Sequence, residues 1–132
     1  MKAHIRPQLP CALLWNFDHD QPGRSALETT CQKLGLKLIE TSVSDLGRPV
    51  GEICGLVGKY RSGPLPPVTD FPAALILQGL SDTQLDTLLA DLRAAQAVIP
   101  LKAVVTETNR QWPLAILLQE LMEERAAFES AK

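Results

Sequence analysis

Cys11-Ala12-Leu13-Leu14-Trp15-Asn16-Phe17 is a short, nearly continuous apolar run with no period-two alternation. A strand with one wet face alternates. A strand covered on both faces does not, and such strands belong to sheets with helices above and below. Ala73-Ala74-Leu75-Ile76-Leu77 is a second run of the same kind. Both are too short to be buried helices, and each is bounded by breakers. Together they place the chain among the α/β proteins.

Outward from the first run, Asp18-His19-Asp20-Gln21-Pro22-Gly23 breaks the strand, and Pro22 suits a first helical turn. Leu27, Cys31 and Leu34 then form an apolar stripe at helical spacing, closed by Gly35 as a C-cap. Leu36 to Glu40 is a second strand, flanked by Lys37 and Glu40 as an edge strand would be. A helix over 49–58 follows, opened by Pro49 and weakened by Gly51, Gly55 and Gly58, so it reads as short and marginal. The Pro-rich stretch from Lys59 to Pro72 is a loop.

Outward from the second run, Ser81 and Gln84 make a capping box. Leu85, Leu88, Leu89 and Leu92 give the helix behind it a core-facing stripe. Ala103-Val104-Val105 is the heart of a fourth strand, and Thr106 to Gln111 a polar loop. Pro113 opens a last helix, lined by Leu114, Leu117, Leu118, Leu121 and Met122, with Phe128 extending the face and Glu120, Glu123 and Glu124 off it.

The order β-α-β-α-β-α-β-α predicts a mostly parallel four-stranded sheet in the order 2-1-3-4, with right-handed crossovers and helices on both faces. The alternative is a ferredoxin-like α+β sandwich in which residues 42–72 join two antiparallel strands. Residues 1–10, with Pro7 and Pro10, read as a flexible arm, and 11–132 as a single domain without internal repeat.

The 132 residues suffice for a core without staples. A net charge of −2 with scattered basic residues speaks against nucleic acid. Cys11, Cys31 and Cys54 are odd in number, lack a CxxC pair and sit in apolar patterns, so they read as buried thiols. Neither a secretory signal nor a membrane span is legible, and the expectation is a cytoplasmic protein.

The stretch Gln78-Gly79-Leu80-Ser81-Asp82 before the Leu-rich helix, and Ile99-Pro100-Leu101-Lys102-Ala103-Val104-Val105-Thr106-Glu107-Thr108-Asn109 followed by Trp112, resemble a bacterial family known only as a domain of unknown function. The resemblance runs over residues 73–128, with Leu13 to Phe17 similar more loosely. Pro113 departs from it, standing where relatives are expected to carry a polar helix cap. It implies a cytoplasmic bacterial protein and no substrate, cofactor or catalytic residue.

In a parallel sheet of this order, ligands bind beyond the carboxyl ends of strands 1 and 3. Asp18 and His19 follow strand 1, Ser81 follows strand 3, and Glu107, Asn109 and Arg110 follow strand 4. These six are the candidate ligand contacts. Each also has a structural reading: acids at a helix start, a helix cap, or a turn stabilised by Asn109. No GxGxxG, P-loop or GxSxG motif occurs, and neither a cofactor nor a structural metal is expected. Two functions follow. The first is a protein-interaction module without catalysis, a homodimer or bound to another protein, with loop 59–72 and helix 49–58 as its adaptable surface. The second is a ligand sensor or small enzyme using the crevice at the strand ends.

Overall fold

A computed structural model describes residues 10–65, 67 and 69–130, so the arm at 1–10 lies outside the described residues except for Pro10. The elements are β1 (Cys11–Trp15), α1 (Arg24–Leu34), β2 (Lys37–Glu40), α2 (Val50–Ile53), β3 (Ala74–Gln78), α3 (Asp82–Ala94), β4 (Leu101–Val104) and α4 (Leu114–Ser130). Short 3-10 turns at Val43–Asp45 and Asn109–Gln111 precede α2 and α4.

The four strands lie in the order β2-β1-β3-β4. β1–β2 and β3–β4 are parallel, and the central β1–β3 pair is antiparallel, with Cys11 opposite Gln78 and Trp15 opposite Ala74. The sheet is therefore mostly parallel with one reversal. The lengths of the crossover helices explain where the reversal falls. A five-residue strand spans about 17 Å. α1 and α3, with 11 and 13 residues, span about 16 and 20 Å and return the chain to the strand's starting end. α2 has four residues and spans about 6 Å, so the chain re-enters the sheet at the end where it left β2.

Helices cover both faces, which is why β1 is buried at all five positions and carries no alternation. Ala12, Leu14, Leu75 and Leu77 meet Leu27 and Cys31 of α1 and Leu88 and Leu92 of α3. Leu13, Trp15 and Ile76 meet Val50 and Ile53 of α2 and Leu114, Leu117 and Leu118 of α4. The Leu-rich stripe of α3 is narrower than its spacing suggests, because Leu85 and Leu89 are only half-buried. The expected helix over 49–58 shrinks to α2. Its glycine admits a neighbour: a Cβ on Gly51 would lie 2.5 Å from the Tyr60 hydroxyl oxygen. All three cysteines are buried, and none forms a disulfide. Burial pushes the Cys31 thiol up to about 11.

Candidate functional site

Phe71 is the fixed wall of an apolar hollow. It follows the proline-rich loop and is only 7% exposed, because Trp15 at the end of β1 meets it edge-on with ring centroids 6.2 Å apart. Its carbonyl accepts from Trp15 Nε1 and Asn16 Nδ2, both at 3.1 Å. Asn16 reaches it from a left-handed backbone (φ 52°), a conformation Asn tolerates better than most residues.

The facing wall is α4. Its buried residues, Leu114, Ala115, Leu117 and Leu118, all belong to its first five positions. Leu121 is half-buried, and every residue from Met122 to Ser130 is exposed. Nine residues at 1.5 Å each leave the last part of the helix, about 14 Å, free of buried side chains. The expected core stripe therefore ends at Leu121: Met122 is 38% and Phe128 67% exposed. Between the emerging helix and the loop is an open groove of about 420 Å³. Pro67, Phe71, Met122 and Ala126 give it an apolar floor, and Asp70 and Glu123 stand at its rim. Sequence reading marked the proline-rich loop as a surface, but it placed Met122 in the core. Periodicity reports which face of a helix is apolar and not where its support stops.

The six residues singled out from sequence do not meet. Because β1 and β3 are antiparallel, Asp18 and His19 leave one end of the sheet, and Ser81, Glu107, Asn109 and Arg110 leave the other. Ser81 caps α3: its Oγ accepts from Gln84 N at 3.1 Å, and its own N–H donates to Gln84 Oε1 at 2.9 Å. Asn109 Oδ1 accepts from Thr106 N at 2.8 Å, and its Nδ2 donates to Val104 O at 3.1 Å. Arg110 donates to Val57 O and to the Tyr60 hydroxyl, at 2.6 and 2.8 Å. The Tyr60 bond holds its guanidinium above the usual arginine range. Glu107 is 94% exposed and 3.6 Å from Arg110.

At the other end, Asp18 borders a polar crevice of about 280 Å³ shared with Asn16, Glu40, Thr41 and Ser42. His19 lies 3.5 Å from Glu28 and 3.9 Å from Glu40. The anchor of this end is a residue the sequence reading passed over. Arg24, 3% exposed, donates to Phe17 O, Glu28 Oε2 and Glu40 Oε1 at 2.5, 3.0 and 2.5 Å, locking α1 to the ends of β1 and β2. Its spacing from Glu28 is the one legible signal, an i,i+4 pair on a helix. Among the described residues, no group of three or more His, Cys, Asp or Glu is placed to hold a metal ion. Nor is any described helix long and apolar enough to cross a membrane.

No curated protein and no solved structure matches the chain. Residues 73–128, from the residue before β3 to within two residues of the end of α4, match the model of the family described as a domain of unknown function, DUF3783.

Proposed function

We propose that this protein is a non-catalytic interaction module, and that its contact surface is the groove between α4 and the loop residues Pro67, Asp70 and Phe71. The observation that supports it is the helix that outruns its buried contacts. Its outer turns contribute no buried residue to the core, yet they carry Met122 and Ala126 against Phe71. Methionine suits such a role, because its unbranched, polarisable side chain repacks around varied apolar partners. The rim points to the partner's chemistry. Asp70 and Glu123 flank the apolar floor, and Glu120 and Glu124 are exposed on the same helix, where Glu129 is paired with Arg125. The complement is a segment of another protein with an apolar anchor between lysines or arginines. A second copy presenting the same face would set acids against acids, so a partner protein fits better than a homodimer through this surface.

Titrating isotope-labelled protein with a synthetic amphipathic Leu/Lys helical peptide tests the reading. Amide shifts confined to 67–71 and 119–126 are expected, weakening with added salt. Met122→Glu should abolish them while leaving the remaining spectrum in place. Shifts spread over surfaces away from the groove, or unchanged in Met122→Glu, would overturn it.

A second reading is a small-ligand site in the crevice beside Asp18. It is favoured by Asn16, Asp18, Glu40, Thr41 and Ser42 surrounding one hollow. A thermal-shift panel of metabolites that moves the melting midpoint in the wild type and not in Asp18→Ala would favour it. Ser81, Glu107, Asn109 and Arg110 have no part in this crevice, and the cytoplasmic, nucleic-acid-free setting read from the sequence fits either function.

A further inference from the structure

The chain hydrogen-bonds to itself in matched pairs. Val50 N donates to Trp112 O, and Leu114 N donates to Arg48 O, both at 2.9 Å. Pro49 and Pro113 face each other between them as an antiparallel bridge. Such exchange, in which one residue contacts a second and the second's equivalent contacts the first's, is the mark of a two-fold interface.

The axis is set by the central strands, where Leu13 stands opposite Ile76 and the pairs on either side mirror each other. Equivalent bonds recur throughout. Thr41 N donates to Leu14 O at 2.9 Å, and Val105 N to Leu77 O at 2.8 Å. Lys37 N donates to Pro10 O at 2.9 Å, and Leu101 N to Ala73 O at 3.2 Å. Ser42 N donates to the Asp45 carboxylate and Thr106 N to the Asn109 amide oxygen, each at 2.8 Å. Asn16 and Gly79, each following its strand, both have left-handed backbones, with φ of 52° and 78°. Each half runs strand, helix, strand, 3-10 turn, helix.

We infer that the chain is two fused copies of one β-α-β-turn-α unit, and that the seam between them is a self-recognition surface whose natural partner is a second copy of the same unit, here supplied in cis. The seam consists of the β1–β3 ladder and the Pro49/Pro113 bridge. The family match begins one residue before β3 and so spans the second copy. The repeat is hidden in the sequence because equivalent positions rarely keep the residue and only some keep its chemistry. Pro49 with Pro113 and Ser42 with Thr106 do so, whereas Glu40 with Val104 does not. The first copy carries a longer loop before its first helix and a much shorter second helix. This inference is independent of the groove.

The test is a full-length chain in which residues 10–54 are replaced by a second copy of 73–118, with loop 55–72 and everything after it kept. A monomer with the parent's far-ultraviolet circular dichroism and a single cooperative melt is expected. Absence of a cooperative melt would overturn the self-recognition of the unit. A gentler exchange, Ser42→Thr with Val43→Glu, Ser44→Thr and Asp45→Asn, places the second turn's residues in the first. It should keep the fold and hold the midpoint within about 4 °C. Loss of the fold there would overturn the equivalence of the halves by itself.

Discussion

Arg24 carries more of this structure than its neighbours in sequence suggest. A guanidinium that is 3% exposed is held at three points, one of them the Phe17 carbonyl. Hydrogen bonds to a charged group contribute about 1.5–3 kcal/mol each, and an abandoned buried acceptor costs a further part of its desolvation. Glu28 and Glu40 are half-exposed and recover water when the arginine is removed. Replacement by methionine, which keeps much of the stem's packing, should therefore lower stability by about 2 kcal/mol in urea unfolding, with an unchanged denaturant slope. A change below ~0.5 kcal/mol would show that the three bonds are no better than those water offers. The same scale explains what the sequence hid at the candidate site. Ser81 as a cap was legible from its capping-box partner Gln84. Asn109 was legible as a turn former, and its amide is spent on Thr106 and Val104. Arg24 was not, because only tertiary structure brings Phe17 and Glu40 to its side chain.

Between elements, α1 and α3 lie side by side on one face and are tied by Asp91. Its carboxylate accepts from Thr30 Oγ1 at 2.8 Å and from Lys33 Nζ at 3.0 Å. The lysine bond, and after it the threonine bond, holds Asp91 below the ordinary carboxylate range. A group whose folded pKa is depressed contributes stability that is complete above its unfolded value and is lost as the pH falls through the folded value. Melting midpoints of the wild type and Asp91→Asn, followed from neutral pH downward, should differ above the carboxylate range and converge below it. Curves that stay parallel down to the lowest pH would dissociate the tie from ionisation. At this scale the sequence was informative about which elements exist and poor on direction. The β-α-β-α order, the strand order and the two covered faces were all readable from continuous apolar runs and helical stripes. The reversal at β3 belonged only to the alternative, in which residues 42–72 join two antiparallel strands, although its cause was visible. Glycine and proline between 47 and 72 leave room for only a four-residue helix, too short to carry the chain back along the sheet. A marginal helix and a full crossover over residues 42–72 are incompatible, and the short helix prevailed. The opposed strands also dispersed the six candidate residues to two ends of the molecule.

For the whole molecule, the two-fold arrangement accounts for nearly every element, and the part it leaves over is the outer half of α4. The first copy ends its second helix at Ile53, after four residues, whereas α4 continues for 17. Four residues are enough to bury Val50 and Ile53, and the first five of α4 do the same work with Leu114, Leu117 and Leu118. The turns beyond Leu121 bury no residue in the core, and an exposed helix bearing apolar and acidic side chains invites a functional account. A chain ending after Leu121 separates the two roles. It keeps every buried residue, so it should unfold in one cooperative transition with a midpoint lowered by less than about 4 °C. It should also lose the Leu/Lys peptide completely, because Met122, Glu123 and Ala126 are gone while Phe71 stays anchored to Trp15. A truncated chain that melts far lower would make the outer turns part of the fold. One that still binds the peptide with full affinity would move the contact surface away from the groove.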